Sequence, residues 1–230
     1  MIIVVGLAFE ARIAAGPGVS VICSGSDGNL AQTLASAFAQ ARDSAEGCRG
    51  VVSFGVAGGL APDLQPGTCI VGSSILSGDD RMMTDRTWSQ ELLHAIPNAV
   101  YGAIAGVAAP VAHPQAKRAL YLKTGAVAVD MESHIVARVA ADHQMPAVAV
   151  RVITDPAMRA LPQAALAAMR ANGTTDIVAM IRTVMKRPRE LSALARTALD
   201  AWAARSTLQR GRKLLNPVLV RPAPGGVGLS

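Results

Sequence analysis

Six short runs of apolar, largely β-branched residues recur along the chain: Ile2–Val5, Val19–Cys23, Val51–Phe54, Cys69–Ile75, Ala126–Val129 and Ala147–Ile153. Each is bounded by Gly, Pro or polar residues, as buried strands are. Longer stretches with helical character fall at about 29–44, 114–123, 131–143 and 162–171. In 131–143, Ile135, Val136, Val139 and Ala140 make one apolar stripe, with Arg138 and Asp142 elsewhere. Continuous apolar strands separated by helices predict an α/β fold. Its mostly parallel (mixed) central sheet is covered by helices on both faces.

Composition narrows the function. With 51% hydrophobic and 17% charged residues, the 230-residue chain can bury a sizeable core, which excludes global disorder. Aromatics are only 3%, which argues against a base-stacking nucleic-acid platform. The stretch from Leu92 to Ala116 lacks Asp, Glu, Lys and Arg, but Pro97, Asn98, Pro110 and Pro114 make it strand plus loop rather than a membrane span. The apolar start lacks a basic leader and ends at Glu10 and Arg12, so it reads as a first core strand. Cys23, Cys48 and Cys69 have no metal-ligand or disulfide spacing, and the expected compartment is the reducing cytoplasm. His94, His113, His134 and His143 give no zinc pattern either, so no metal or cofactor is expected.

Charge is unevenly placed. Residues 181–230 hold ten Lys/Arg against Glu190 and Asp200, whereas the first 180 residues are slightly acidic. Helices are expected near 174–186 and 190–210, split by Pro188, with Leu191, Leu194, Ala198, Trp202 and Leu208 at roughly helical spacing. Asn216–Ser230 is rich in Pro and Gly and reads as a loose tail. The expected organisation is a catalytic domain over 1–185, a basic helical extension over 186–215 and a flexible tail over 216–230.

Ligands of parallel α/β sheets bind beyond the carboxyl ends of the strands. Five segments follow such ends: Gly6–Glu10, Ser24–Asn29, Gly55–Leu60, Asp130–Glu132 and Thr154–Asp155. Acidic groups and two Gly-rich turns could therefore converge on one rim. Glu132, at a helix start, is kept ionised by the helix dipole and suits a sugar diol; the alternative is a stabilising first-turn acid. Asp155, buried after a strand, could donate a proton; the alternative is a turn cap before Pro156. Glu10 could be a general base or an ordinary loop acid paired with Arg12. The Ser24–Gly28 turn resembles a backbone anion site, though it lacks a Lys or Arg. There is no G-x-S-x-G elbow and no G-x-G-x-x-G fingerprint.

Three of these segments, in order, resemble a known superfamily. Val51–Leu60 with Pro66-Gly67-Thr68 is similar to its G-x-A-G-x-L strand–turn–strand signature. Val129-Asp130-Met131-Glu132 is similar to its V-x-M-E signature, and Arg151–Asp155 to its R-x-I-S-D signature. The superfamily is that of purine nucleoside phosphorylases and methylthioadenosine/S-adenosylhomocysteine nucleosidases. Within it, the Val-Asp-Met-Glu-Ser-His string and the basic C-terminal region most resemble the hopanoid-associated phosphorylase subgroup.

The resemblance implies a three-layer nucleoside-phosphorylase-like domain that cleaves the C1′–N9 bond of an adenine nucleoside. The implied reaction is phosphorolytic release of adenine from adenosylhopane, with inorganic phosphate as co-substrate. The alternatives are a hydrolytic methylthioadenosine/S-adenosylhomocysteine-type nucleosidase and a noncatalytic nucleoside-binding protein. By the resemblance, Asp155 serves purine N7, Glu132 the ribose hydroxyls with Met131 packed on the sugar, and Glu10 the nucleophile side. Ser24 and Gly25, with Val56, Ala57 and Gly58, line the substrate site, and Arg151 supports it or contacts an anion.

The resemblance also implies a homo-oligomer. Val56 stands where relatives carry a polar residue that holds the nucleophile, and Ser53 is the nearby hydroxyl that could compensate. Neither Tyr101 nor Tyr121 clearly matches the family's base-stacking aromatic. For the basic C-terminal helix two readings stand: a peripheral contact with the inner membrane face, or a solvated helix packed on the domain or a subunit interface. No nucleic-acid partner is expected.

Overall fold

The computed structural model describes residues 1–24, 29–42, 48–168 and 191–219. The strands are β1 (Ile2–Val5), β2 (Ser20–Cys23), β3 (Val51–Gly59), β4 (Cys69–Ser77), β5 (Asp80–Met83), β6 (Val100–Gly106), β7 (Ala128–Asp130) and β8 (Ala147–Asp155). The helices are α1 (Ala8–Ala14), α2 (Leu30–Arg42), α3 (Arg86–Ala95), α4 (Pro114–Thr124), α5 (Ser133–Asp142), α6 (Gln163–Ala168) and α7 (Leu191–Leu219).

The sheet runs β2-β1-β3-β7-β6-β4-β5, and β8 pairs with both β3 and β4. Strands β3, β7, β6, β4 and β8 therefore close into a ring, from which β1 and β2 extend as a wing. Pairing is parallel for β1–β2, β1–β3, β3–β8, β4–β6 and β6–β7, and antiparallel for β3–β7, β4–β5 and β4–β8.

Alternation along β1 sorts the core into layers. Ile3 and Val5 face Trp88 and Leu92 of α3 and Ala204 and Leu208 of α7. Ile2 and Val4 face Leu30, Leu34 and Phe38 of α2 and Val136 and Val139 of α5. A third cluster, with Ala57, Ile70, Ile104, Ala128 and Ile153, comes mainly from the ring strands. Burial of this aliphatic surface is what holds the layers together.

Several expected boundaries move. The third strand continues through Gly55–Gly59, so this segment is strand and not a turn. Glu10 lies in the first turn of α1 rather than in a loop. Strand β5 and helices α1 and α3 are additions, and the strand expected within 92–116 is β6. The last described helix runs without a break from Leu191 to Leu219, past the point where the tail was expected to begin. The expected helix at 174–186, Pro188 and the rest of the tail lie outside the described residues. No helix among the described residues is long and apolar enough to cross a membrane.

Candidate active site

Helix α1 begins directly beyond β1, and its third residue is Glu10. Leu7, the N-cap, has no side-chain acceptor, so the orphan amides of this turn depend on Glu10 reaching back. Its Oε2 accepts from the Gly6 and Leu7 amides at 2.9 and 2.8 Å, and its Oε1 accepts from the Val56 amide at 2.7 Å. Glu10 is 2% exposed. Burial pushes its carboxyl up to about 7, against the opposing pull of Arg151 and of the Val56 and Leu7 amides.

Arg151, in the middle of β8, is wholly buried and anchors the neighbouring groups. Its Nε donates to Asp130 Oδ2 at 2.5 Å, and its Nη2 donates to Ser53 Oγ at 2.7 Å and Ser133 Oγ at 3.2 Å. Ser133 Oγ also bonds Asp130 Oδ2. Glu132 Oε2 lies 3.7 Å from Arg151 Nη2, and its Oε1 lies 3.5 Å from Ser24 Oγ. Burial raises the Glu132 carboxyl above its ordinary value, with Arg151 opposing and Asp130 reinforcing. Burial alone would lower the pKa of Arg151; Asp130, then Glu132 and Glu10, reverse that and raise it.

The acid expected at the end of β8 is held differently. Lys117, on α4, is fully buried, and its Nζ donates to Asp155 Oδ2 at 2.6 Å. The same ammonium meets the backbone oxygens of Asp155, Pro156 and Arg159 at 3.3, 3.0 and 3.2 Å. Thr154 Oγ1 lies 2.8 Å from Asp155 Oδ1 and 3.3 Å from the Ala57 carbonyl.

Glycines on the facing strands make these approaches fit. A Cβ at Gly6 would stand 2.7 Å from Glu132 Oε1, one at Gly55 2.5 Å from Glu10 Oε1, and one at Gly58 3.1 Å from Asp155 Oδ2. Gly55 is in register with Arg151, and Gly58 with Asp155. Glu10 therefore sits at one point on β3 and Asp155 two to three residues further along, roughly 7–10 Å away.

The structure thus brings together Glu10, Glu132, Arg151, Ser24 and the Val56 amide, and sets Asp155 against Gly58, with Thr154 linking it to the Ala57 carbonyl. Met131 is half-buried beside Glu132, and Gly25 lies outside the described residues. Ser53 is bound to Arg151 and 2% exposed, so it braces the guanidinium and is not placed as a substitute for a polar residue at 56. A cavity of about 310 Å³ lies behind Ser53 and Ser133, between α5 and the β4–β5 hairpin. It is lined by the first residues of β8, away from the strand ends that carry the acids.

Sequence reasoning passed over Lys117, Asp130 and Ser133. For Lys117 a signal existed: Leu120, Tyr121 and Thr124 follow it at i+3, i+4 and i+7 on the half-buried side of α4, so the lysine lies on the inward stripe.

The family model described as the phosphorylase superfamily matches residues 5–191, which takes in every residue of this site. The chain belongs to the phosphorylase superfamily. As a member it is an enzyme. Among solved structures it is similar to the futalosine hydrolase of Helicobacter pylori, at 16% identity and a TM-score of 0.64, covering 95% of this chain and 96% of that one. It is also similar to the 5′-methylthioadenosine/S-adenosylhomocysteine nucleosidase of the same organism, at 16% identity and a TM-score of 0.62, with the same coverage. The corresponding nucleosidase of S. pneumoniae matches at 17% identity and a TM-score of 0.57, covering 90% and 97%. At these identities the likeness establishes the superfamily fold. No curated protein matches the chain.

Proposed function

We propose that this enzyme hydrolyses the N-glycosidic bond of an adenine nucleoside, with water as the nucleophile. The observation that carries the reading is the pair of buried carboxyl groups, Glu10 and Asp155, set apart along β3 with Glu132 beside the first. In this reading Glu10, held by three amides and pushed up to about 7, takes a proton from water as it attacks C1′. Glu132 accepts from the ribose hydroxyls, and the carboxylate charges around the sugar favour an oxocarbenium-like state. Asp155 passes a proton to purine N7, so the base leaves neutral.

Charge supports water over phosphate. Among the described residues, the cations bonded to site carboxylates are Arg151 and Lys117, and both are wholly buried. Three carboxyl groups, Asp130, Glu132 and Glu10, act on the single Arg151 charge. A phosphate dianion beside Glu10 would meet that negative surplus. Phosphorolysis is the second reading, resting on the family resemblance; the Gly-rich sequence 25–28 expected to hold the anion lies outside the described residues.

The substrate's 5′ group is open to two proposals: a small thioether, by analogy with the nucleosidase neighbours, or the lipid of adenosylhopane. The outer face of α7 favours a lipid-linked substrate. Leu199 and Trp202 are 67% and 70% exposed there, with exposed Arg205, Arg210 and Lys213 on the same side. The Arg159–Asp200 ion pair brings the exposed Met158, three residues beyond Asp155, to the same turn of α7. Such a surface suits peripheral contact with an anionic bilayer.

Adenine release from methylthioadenosine and from adenosylhopane in detergent, each with and without phosphate, tests these readings. Release without phosphate is expected, and strict phosphate dependence would overturn the hydrolytic reading. Binding to anionic vesicles, lost on joint Leu199→Ala and Trp202→Ala substitution, tests the surface. A homo-oligomer, measurable by light scattering, completes the proposal.

A further inference from the structure

We propose that Lys117 is the positioning residue of the leaving-group half of the reaction: by holding Asp155 Oδ2, it leaves Oδ1 as the oxygen that carries the proton to the base. The inference rests on the hydrolytic reading above and deepens it.

Donors and acceptors around the carboxyl group decide which of its oxygens can carry a proton. An ammonium has three hydrogens and accepts none. Lys117 Nζ spends them among four oxygens, the shortest contact being 2.6 Å to Asp155 Oδ2. A proton on Oδ2 would point at a group that cannot accept it, so protonation there is excluded by geometry. Oδ1 faces the Thr154 hydroxyl, which has one hydrogen and two acceptors within reach, Oδ1 and the Ala57 carbonyl. When Asp155 is ionised, Thr154 donates to Oδ1. When Oδ1 is protonated, it donates to Thr154 Oγ1, which turns its own hydrogen to the Ala57 carbonyl. Both protonation states are thus satisfied with no movement of the carboxyl group.

The step then balances. With substrate bound, the Oδ1 hydrogen turns from Thr154 Oγ1 to N7 and is transferred, the C1′–N9 electron pair passes to the base, and neutral purine departs. Asp155 is left as a carboxylate beside the Lys117 cation. Water bonds to C1′ and gives a proton to Glu10. The same ammonium gathers the carbonyls of Asp155, Pro156 and Arg159, so the segment that follows the acid is fixed in the same act.

The test uses two leaving groups, an adenine nucleoside and 4-nitrophenyl β-ribofuranoside, whose phenolate departs without a proton. For Lys117→Met the ratio of the two turnover numbers is expected to fall about 100-fold, the order of a general-acid contribution. Lys117→Arg, which keeps the charge, should recover part of that loss, and it also serves if the Met variant does not fold. Parallel loss on both substrates, or loss on neither, would overturn the proposal.

For a wild type that cleaves the nucleoside alone, a cycle with Asp155→Asn decides. Non-additive losses in adenine release are expected, and additive ones would refute action through Asp155. A folded wild type that cleaves neither substrate would instead overturn the hydrolytic reading, and the role of Lys117 with it.

Discussion

The two ends of the site each have one buried cation, yet they are built on opposite charge balances. At Arg151 one guanidinium is shared by Asp130, Glu132 and Glu10. At Lys117 one ammonium faces one carboxylate and three neutral carbonyls. The first end cannot satisfy every acid in ionised form. There the almost fully buried Glu10 rises to about 7, chiefly through burial and against the pull of Arg151 and the Val56 and Leu7 amides. The second end is matched one to one. At the first end burial raises Glu10 and Glu132, Arg151 opposes it, and the neighbouring carboxylates add to it.

The largest effect should come from removing the shared cation. Arg151→Met leaves Asp130 and its neighbours buried without a counter-charge, which should cost about 3–5 kcal/mol and abolish turnover. Urea unfolding and an adenine-release assay would check both outcomes.

Glu10→Gln should leave the fold intact and lower kcat by about 10²–10⁴-fold. In the wild type, kcat/KM should rise with pH up to about 7 as Glu10 deprotonates. Stability moves the other way. The folded chain holds the Glu10 proton between 4.5 and about 7 and the unfolded chain does not, so stability falls as pH rises through that window. The loss is about 3 kcal/mol. Urea melts at pH 5 and pH 8 should show a difference that largely vanishes in Glu10→Gln.

A smaller break comes from crowding the first end. Gly55→Ala puts a Cβ 2.5 Å from Glu10 Oε1 and 2.8 Å from Arg151 Nη1. It should displace the carboxyl group from the Val56 amide and lower kcat on the order of 10²-fold, at about 1–3 kcal/mol of stability.

The smallest sharpens the second end. Thr154→Val removes the hydroxyl between Asp155 and Ala57 and should reduce adenine release about fivefold, the value of one hydrogen bond of about 1 kcal/mol. Release from a nitrophenyl riboside should change less.

Much of the scaffold was legible because β1, β3, β4 and β8 are apolar, β-branched runs whose meaning does not depend on context. Strand β5, Asp-Arg-Met-Met at the sheet edge, carries no such pattern, and β6 is diluted by Gly102, Ala103 and Ala105. Helix α1 hid behind Leu7, an N-cap without an acceptor side chain. Glu10, Glu132 and Asp155 could be found because acids directly after buried strands are conspicuous. The glycines of β3 were read as a turn, since a glycine that makes room for Glu10 or Asp155 looks the same in sequence as one that bends the chain. Lys117 was passed over because lysine is normally solvated, and only its place on the inward stripe of α4 argues otherwise.

One contact bears on the order in which the enzyme is made. Arg212, in α7, donates from Nε to the Ala14 carbonyl at 2.9 Å, across 198 positions of sequence, and Ala14 ends the helix that carries Glu10. During synthesis α1 therefore leaves the ribosome long before the residue that clamps its last turn. Glu10 is therefore made well before the contact that fixes the end of its helix, and a nascent chain still lacking α7 would expose the apolar patch that Ala204 and Leu208 cover.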